Sequence, residues 1–125
     1  MKNSLMALTA VLALGATASA QKVAFEEYDL ANGMHVILHN DPSAPVVITS
    51  VMYHVGAKDE NPERTGFAHF FEHLLFEGTK NIGRGEWFKI VTSNGGTNNA
   101  NTTEDRTYYY EVFPSNNLEL AIWME

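Results

Sequence analysis

The run from Gly66 to Phe76 constrains this chain most. Phe67, Ala68, Phe70, Phe71, Leu74, Leu75 and Phe76 are apolar almost all round a helical wheel. That pattern predicts a helix that belongs in a core rather than on a surface. Three groups of a different kind interrupt it: His69, Glu72 and His73. Histidines at i and i+4 fall on one helical face, about one turn apart, so both imidazoles can reach one metal ion. Glu72 shares that general face and can act on a water held there. A carboxylate among apolar side chains is costly to bury unpaired, and a dication beside it offsets that cost. Taken alone, the run from His69 to His73 also suits a structural role, with imidazoles that hydrogen-bond backbone carbonyls or carboxylates.

Zn²⁺ is the metal such a pair fits best. Imidazole suits it, and enzymes commonly hold it with three protein ligands and one open position, where a bound water has a pKa of about 7. Two histidines leave the set one ligand short. Glu77 follows His73 by four residues, but three ligands along a straight helix cannot easily wrap one ion. Glu86, Glu104 and Glu111 are further carboxylates, and no signature singles one out.

The first twenty residues look like a secretory leader. Lys2 supplies a short positive region, Leu5 to Ala16 is apolar apart from Thr9, and Ala18-Ser19-Ala20 is an A-x-A cleavage site. Cleavage leaves Gln21 first and predicts a periplasmic or secreted product. The apolar stretch is shorter than the roughly 20 residues a membrane span needs, so no membrane anchor is expected. A net charge of −7 argues against nucleic acid as a partner. The chain has no cysteine, which excludes a disulfide scaffold.

Phe25 to Leu30 and Met34 to His39 are strand-like and flank Asn32-Gly33, the pattern of a β-hairpin. Val46 to Val55 is rich in β-branched residues and reads as a central strand. Gly56 to Thr65 reads as a loop into the first helix, with Gly78 as its stop. A second helix is predicted from about Glu86 to Thr92, ahead of Asn94-Gly95-Gly96. Thr97 to Arg106 is a polar stretch leading into a strong strand, Thr107 to Phe113. Pro114-Ser115 opens a last helix that Ser115 or Asn116 could cap. That helix runs to Glu125 with no Gly, Pro or polar tail, so the chain reads as cut from a longer one.

The pattern H-x-x-E-H inverts the H-E-x-x-H signature of zinc proteases. The segment Arg64 to Thr79 resembles the active-site segment of the pitrilysin/insulinase family of zinc peptidases. Gly95-Gly96-Thr97-Asn98-Asn99-Ala100-Asn101-Thr102, followed by Thr107-Tyr108-Tyr109, is similar to a second block of that family. Leu30 to Met34 and Val55-Gly56-Ala57 fit its opening strands. The resemblance implies that His69 and His73 are Zn²⁺ ligands and Glu72 is the general base. It implies that Asn99 and Ala100 lie on a strand whose exposed edge pairs with an extended peptide substrate. It implies an α+β fold, a mixed or antiparallel sheet with helices packed on one face, forming the first, partial unit of a pitrilysin-like peptidase over residues 21–125. The third ligand, a glutamate, is expected beyond Glu125, and the remaining peptidase units in the same chain or a partner subunit. An alternative is a non-catalytic structural or partner subunit of the same fold.

Overall fold

The computed structural model describes residues 23–125, so the leader expected over residues 1–20 lies outside the described residues. The chain forms two units, one ending at Pro42 and the other spanning Ser43–Glu125. In the first, β1 (Glu26–Asp29) pairs antiparallel with β2 (His35–Leu38), Glu26 opposite Leu38 and Asp29 opposite His35. The turn works because Gly33 takes φ +87°, which a side chain would disfavour. Leu30 and Met34 close it with a 2.9 Å backbone bond, and Asn32 Oδ1 accepts from the Met34 N–H at 3.1 Å.

The second unit holds β3 (Val46–Tyr53), α1 (Phe67–Leu74), α2 (Trp87–Ser93), β4 (Thr97–Thr102), β5 (Thr107–Pro114) and α3 (Leu118–Met124). Its sheet is antiparallel in the order β3-β5-β4. The expectation that Val46–Val55 is central is therefore corrected, because β5 takes the middle and β3 an edge. The polar stretch after Gly96 also contains a strand. Threonines and asparagines pair there because the ladder with β5 satisfies their backbone, whatever their polarity.

Along β5, Thr107, Tyr109, Glu111 and Phe113 are buried and the alternate residues only half-buried. The helices pack on the buried face, as expected. The core joins Phe113 to Ile82, Trp87, Val91, Ala121 and Met124, with Val47, Phe76, Ile90 and Leu120 against it. Phe76, just past α1, meets Trp87 edge-on at 5.9 Å and stacks on Phe88 at 5.3 Å.

Two further expectations need correction. The apolar helix is not sunk in this core: Phe70 and Phe71 are 54% and 58% exposed, and the residue α1 buries is Glu72. The helix packs against β4 and β5 and leaves Phe70 and Phe71 more than half exposed. Nor does Ser115 or Asn116 cap the last helix. A 3₁₀ turn over Ser115–Asn117 precedes it, no side chain caps α3, and Asn117 Nδ2 instead donates to the Asn94 carbonyl at 2.9 Å.

Glu111 is fully buried between Thr49 and Glu125. Burial, followed by the hydrogen bond and charge of Glu125, pushes its carboxyl up to about 9 from 4.5, against a weaker opposing pull from Thr49. The folded chain thus keeps a proton that the unfolded chain releases above the ordinary carboxylate range. Its contribution to stability is complete below pH 4.5 and is lost as pH rises through about 9. Glu111→Gln should flatten that dependence. Denaturant unfolding at pH 6 and pH 9 checks it: the native protein weakens and the variant does not, whereas equal losses in both would clear Glu111 of the effect.

Candidate functional site

The helix bearing the histidines is anchored at its start by a residue six positions upstream. Glu60 accepts from the Gly66 N–H through Oε2 and from the Ala68 N–H through Oε1, both at 2.6 Å. A carboxylate there satisfies two of the donors that a helix start leaves free and suits the positive end of its dipole. The loop carrying Glu60 is itself fastened to the β4–β5 turn. Ala57 N–H donates to the Thr103 carbonyl and Lys58 N–H to the Glu104 carbonyl, each at 3.0 Å, and Lys58 pairs with Asp105. Gly56 makes this approach possible, since a Cβ there would lie 2.5 Å from the Glu104 carbonyl oxygen.

On α1 the two imidazoles converge. His69 Nε2 and His73 Nε2 are 3.1 Å apart, with ring centroids at 4.8 Å. Two nitrogen ligands of a tetrahedral Zn²⁺, each bonded at about 2.0–2.1 Å, stand roughly 3.4 Å apart, so the pair fits two positions of such a site with little adjustment. Where no cation lies between them, the two nitrogens can share a proton as donor and acceptor.

Glu72 sits on the inner side of the helix, 8% exposed. Its Oε2 accepts a hydrogen bond from Thr102 Oγ1 at the end of β4. Burial, and then the charge of Glu72, pushes the Tyr109 hydroxyl up to about 12, so Tyr109 stays neutral beside it. A cleft of about 580 Å³ opens here, lined among others by His69, Glu72, Ala100, Thr102 and Glu104. A separate apolar pocket of about 440 Å³ lies along Phe67, Phe71, Leu75 and Tyr109.

The fold therefore gathers His69, Glu72 and Ala100 at one cleft and sets His73 against His69. It does not bring the Asn99 side chain there. Asn99 and Ala100 are neighbours in a strand, so their side chains point to opposite faces of the sheet. Asn99 Oδ1 instead accepts from the Ala100 N–H at 2.9 Å. β4 is an edge strand of its sheet.

The other carboxylates have different work. Glu77 pairs with Arg84 Nε at 2.7 Å, Glu86 accepts from the Gly83 N–H at 2.9 Å, and Glu111 is buried on the central strand β5. Glu104 lines the cleft. Among the described residues, no third His, Cys, Asp or Glu completes a metal-binding group with the two histidines. Sequence reasoning missed Thr102 and Glu60. Thr102 sits in the Gly95–Thr102 block, but only the paired strand shows that it faces Glu72. Glu60 lies too far upstream to match a capping pattern.

Comparison with known proteins shows the family and the fold. The chain is 37% identical over 123 residues to the zinc protease PqqE of Helicobacter pylori, covering 94% of this chain and 28% of that protein. It is 34% identical over 95 residues to the insulin-degrading enzyme of Homo sapiens, covering 75% of this chain and 9% of that one. The chain thus spans a minor part of the relatives it matches. A crystal structure of a protease from Helicobacter pylori superposes with a TM-score of 0.79 at 35% identity, over 82% of this chain and 25% of that one. Pitrilysin superposes with a TM-score of 0.75 at 26% identity, over 85% of this chain and 11% of its own. With residues 35–124 matching the description of insulinase, peptidase family M16, the chain belongs to that family.

Proposed function

We propose that the full-length protein is an exported zinc-dependent endopeptidase acting on peptides or unfolded polypeptides. One observation carries the reading: His69 and His73 converge through Nε2 at 3.1 Å, with Glu72 held beside them at the wall of a cleft. Family membership, and relatives named as zinc protease and insulin-degrading enzyme, support the peptidase class. In this reading His69 and His73 hold Zn²⁺, and a further ligand comes from outside the described residues. Zn²⁺, when bound, supplies a Lewis acid that polarises the scissile carbonyl and acidifies a water. Glu72 takes a proton from the attacking water at its carboxylate. As the C–N bond breaks, it passes that proton to the leaving amine.

The free edge of β4 at Asn99 and Ala100 takes the extended substrate through main-chain hydrogen bonds, which tolerate varied side chains. The remaining peptidase units, in the same chain or a partner subunit, complete the enzyme. The much greater length of the relatives supports that part of the reading. A non-catalytic partner subunit would need neither the histidine pair nor a buried carboxylate aimed at the same cleft.

Export rests on Lys2, the apolar run and Ala18-Ser19-Ala20. N-terminal sequencing of protein made in a secreting host should begin at Gln21, and a retained Met1 on cytoplasmic protein would count against it.

Zinc content tests the ligands. His69→Ala and His73→Ala should each strip most of the zinc from the full-length protein, because each removes one bond to the metal. Metal analysis that finds both variants fully loaded would refute the assignment. Glu72→Gln separates base from ligand. It should keep the zinc yet lower turnover of an unstructured peptide by about 10²–10⁴-fold. Loss of metal along with activity would instead make Glu72 a ligand or a residue that holds the fold.

A further inference from the structure

We infer that Thr102 is a positioning residue: its hydroxyl, at the end of β4, fixes the Glu72 carboxylate toward the cleft. The inference deepens the peptidase reading and rests on Glu72 being the base. The Thr102 Oγ1–H donates to Glu72 Oε2. This is the sole hydrogen bond to the Glu72 side chain among the described residues. It engages one oxygen and leaves Oε1 for a water in the cleft that Glu72 lines.

The donor is itself rigidly placed. Thr102 stands opposite Thr107 in the β4–β5 ladder, and Thr107 is buried with its hydroxyl on the Val55 carbonyl at 3.0 Å. The next residue, Thr103, donates to the Arg106 carbonyl at 2.8 Å and accepts from the Ala57 N–H at 3.0 Å. Thr102 also lies two residues from Ala100, so both side chains point to the same face of β4. The strand proposed to align the peptide therefore also sets the base. A carboxylate on a helix, free to choose among rotamers, would have no such reference to the substrate. General bases need the atom that bears their proton within about 2.6–3.2 Å, and misplacement by 1 Å can cost on the order of 10²-fold.

Full-length Thr102→Val, which keeps the shape and removes the donor, should lower kcat by about 10-fold to 10²-fold, the range for losing a hydrogen bond to a charged group. KM should stay unchanged, since the bond serves the base and not the peptide. Thr102→Ser retains the hydroxyl and should restore turnover to within about twofold. Thr102→Ala guards against misfit of the valine and should match its loss. Zinc content should be equal in all of them. Crystal structures of the metal-free proteins give a readout independent of turnover: Glu72 keeps its rotamer in the native protein and the serine variant, and leaves it in the valine and alanine variants. Native kcat in the valine variant with Glu72 unmoved would overturn the inference. An active Glu72→Gln would overturn the base reading instead, and the crystal structures would still decide whether Thr102 holds Glu72.

Discussion

The site depends on the pairing of β5 on both sides. From Thr107 to Pro114 every residue of β5 has a partner on β3, and from Thr107 to Val112 it has one on β4 as well. Because one register serves both ladders, Thr49, Glu111 and Asn98 stand in one row across the sheet, and Val51, Tyr109 and Ala100 in the next. A slip of one residue would turn Phe113 out of the core and Thr102 away from Glu72 together, since strand side chains alternate faces. Core packing and site geometry are thus set by one backbone choice. Phe113, closed over by Trp87, Val91, Ala121 and Met124, gives that choice its hydrophobic weight.

The orientation of α1 follows from the same sheet. An apolar helix over a sheet would ordinarily turn its phenylalanines inward. Here the carboxylate goes inward and the aromatic side chains stay substantially open. Two polar anchors favour that rotation: Glu60 at the start of the helix, and Thr102 beneath Glu72. The inward carboxylate costs less than an unpaired one because its acceptor is satisfied. Rotation by half a turn would bury Phe70 and Phe71 but carry the histidines from the cleft and leave Thr102 without its acceptor. A large exposed apolar surface of this kind ordinarily marks a place where other protein packs.

How much was legible in the sequence varied with how local the cause was. Asn32-Gly33 marks the hairpin because the turn needs a positive φ, which is a property of the residue itself. The histidine spacing predicts their convergence because helical geometry alone decides it. The antiparallel sheet with helices on one face was also expected, from a resemblance carried by two separated blocks. What periodicity could not show was long-range. β3 looks central by composition, yet its place at an edge depends on which strand pairs with which. Glu111 sits among aromatic residues that alternate almost equally on both faces, so nothing local tells which face is buried. Thr102 and Glu72 are thirty residues apart, and only the β4–β5 register brings them together.

The edge of β4 shows how a polar sequence can suit a strand. An unpaired strand edge is a template for unwanted association, and folded proteins blunt it. Asn98, Asn99 and Asn101 make this edge poor in apolar side chains, and Asn99 Oδ1 gives the Ala100 N–H an acceptor within the chain. Under the peptidase reading, an incoming peptide carbonyl exchanges that bond for one of the same kind. The exchange is nearly neutral, because net hydrogen-bond gains in water are small. Affinity then accumulates only when several main-chain bonds form in register along the strand. Such an edge discriminates by extension of the ligand rather than by its side chains. It would favour a flexible or unfolded segment over a folded surface, and it would do so at the strand that also carries the proposed anchor of the base.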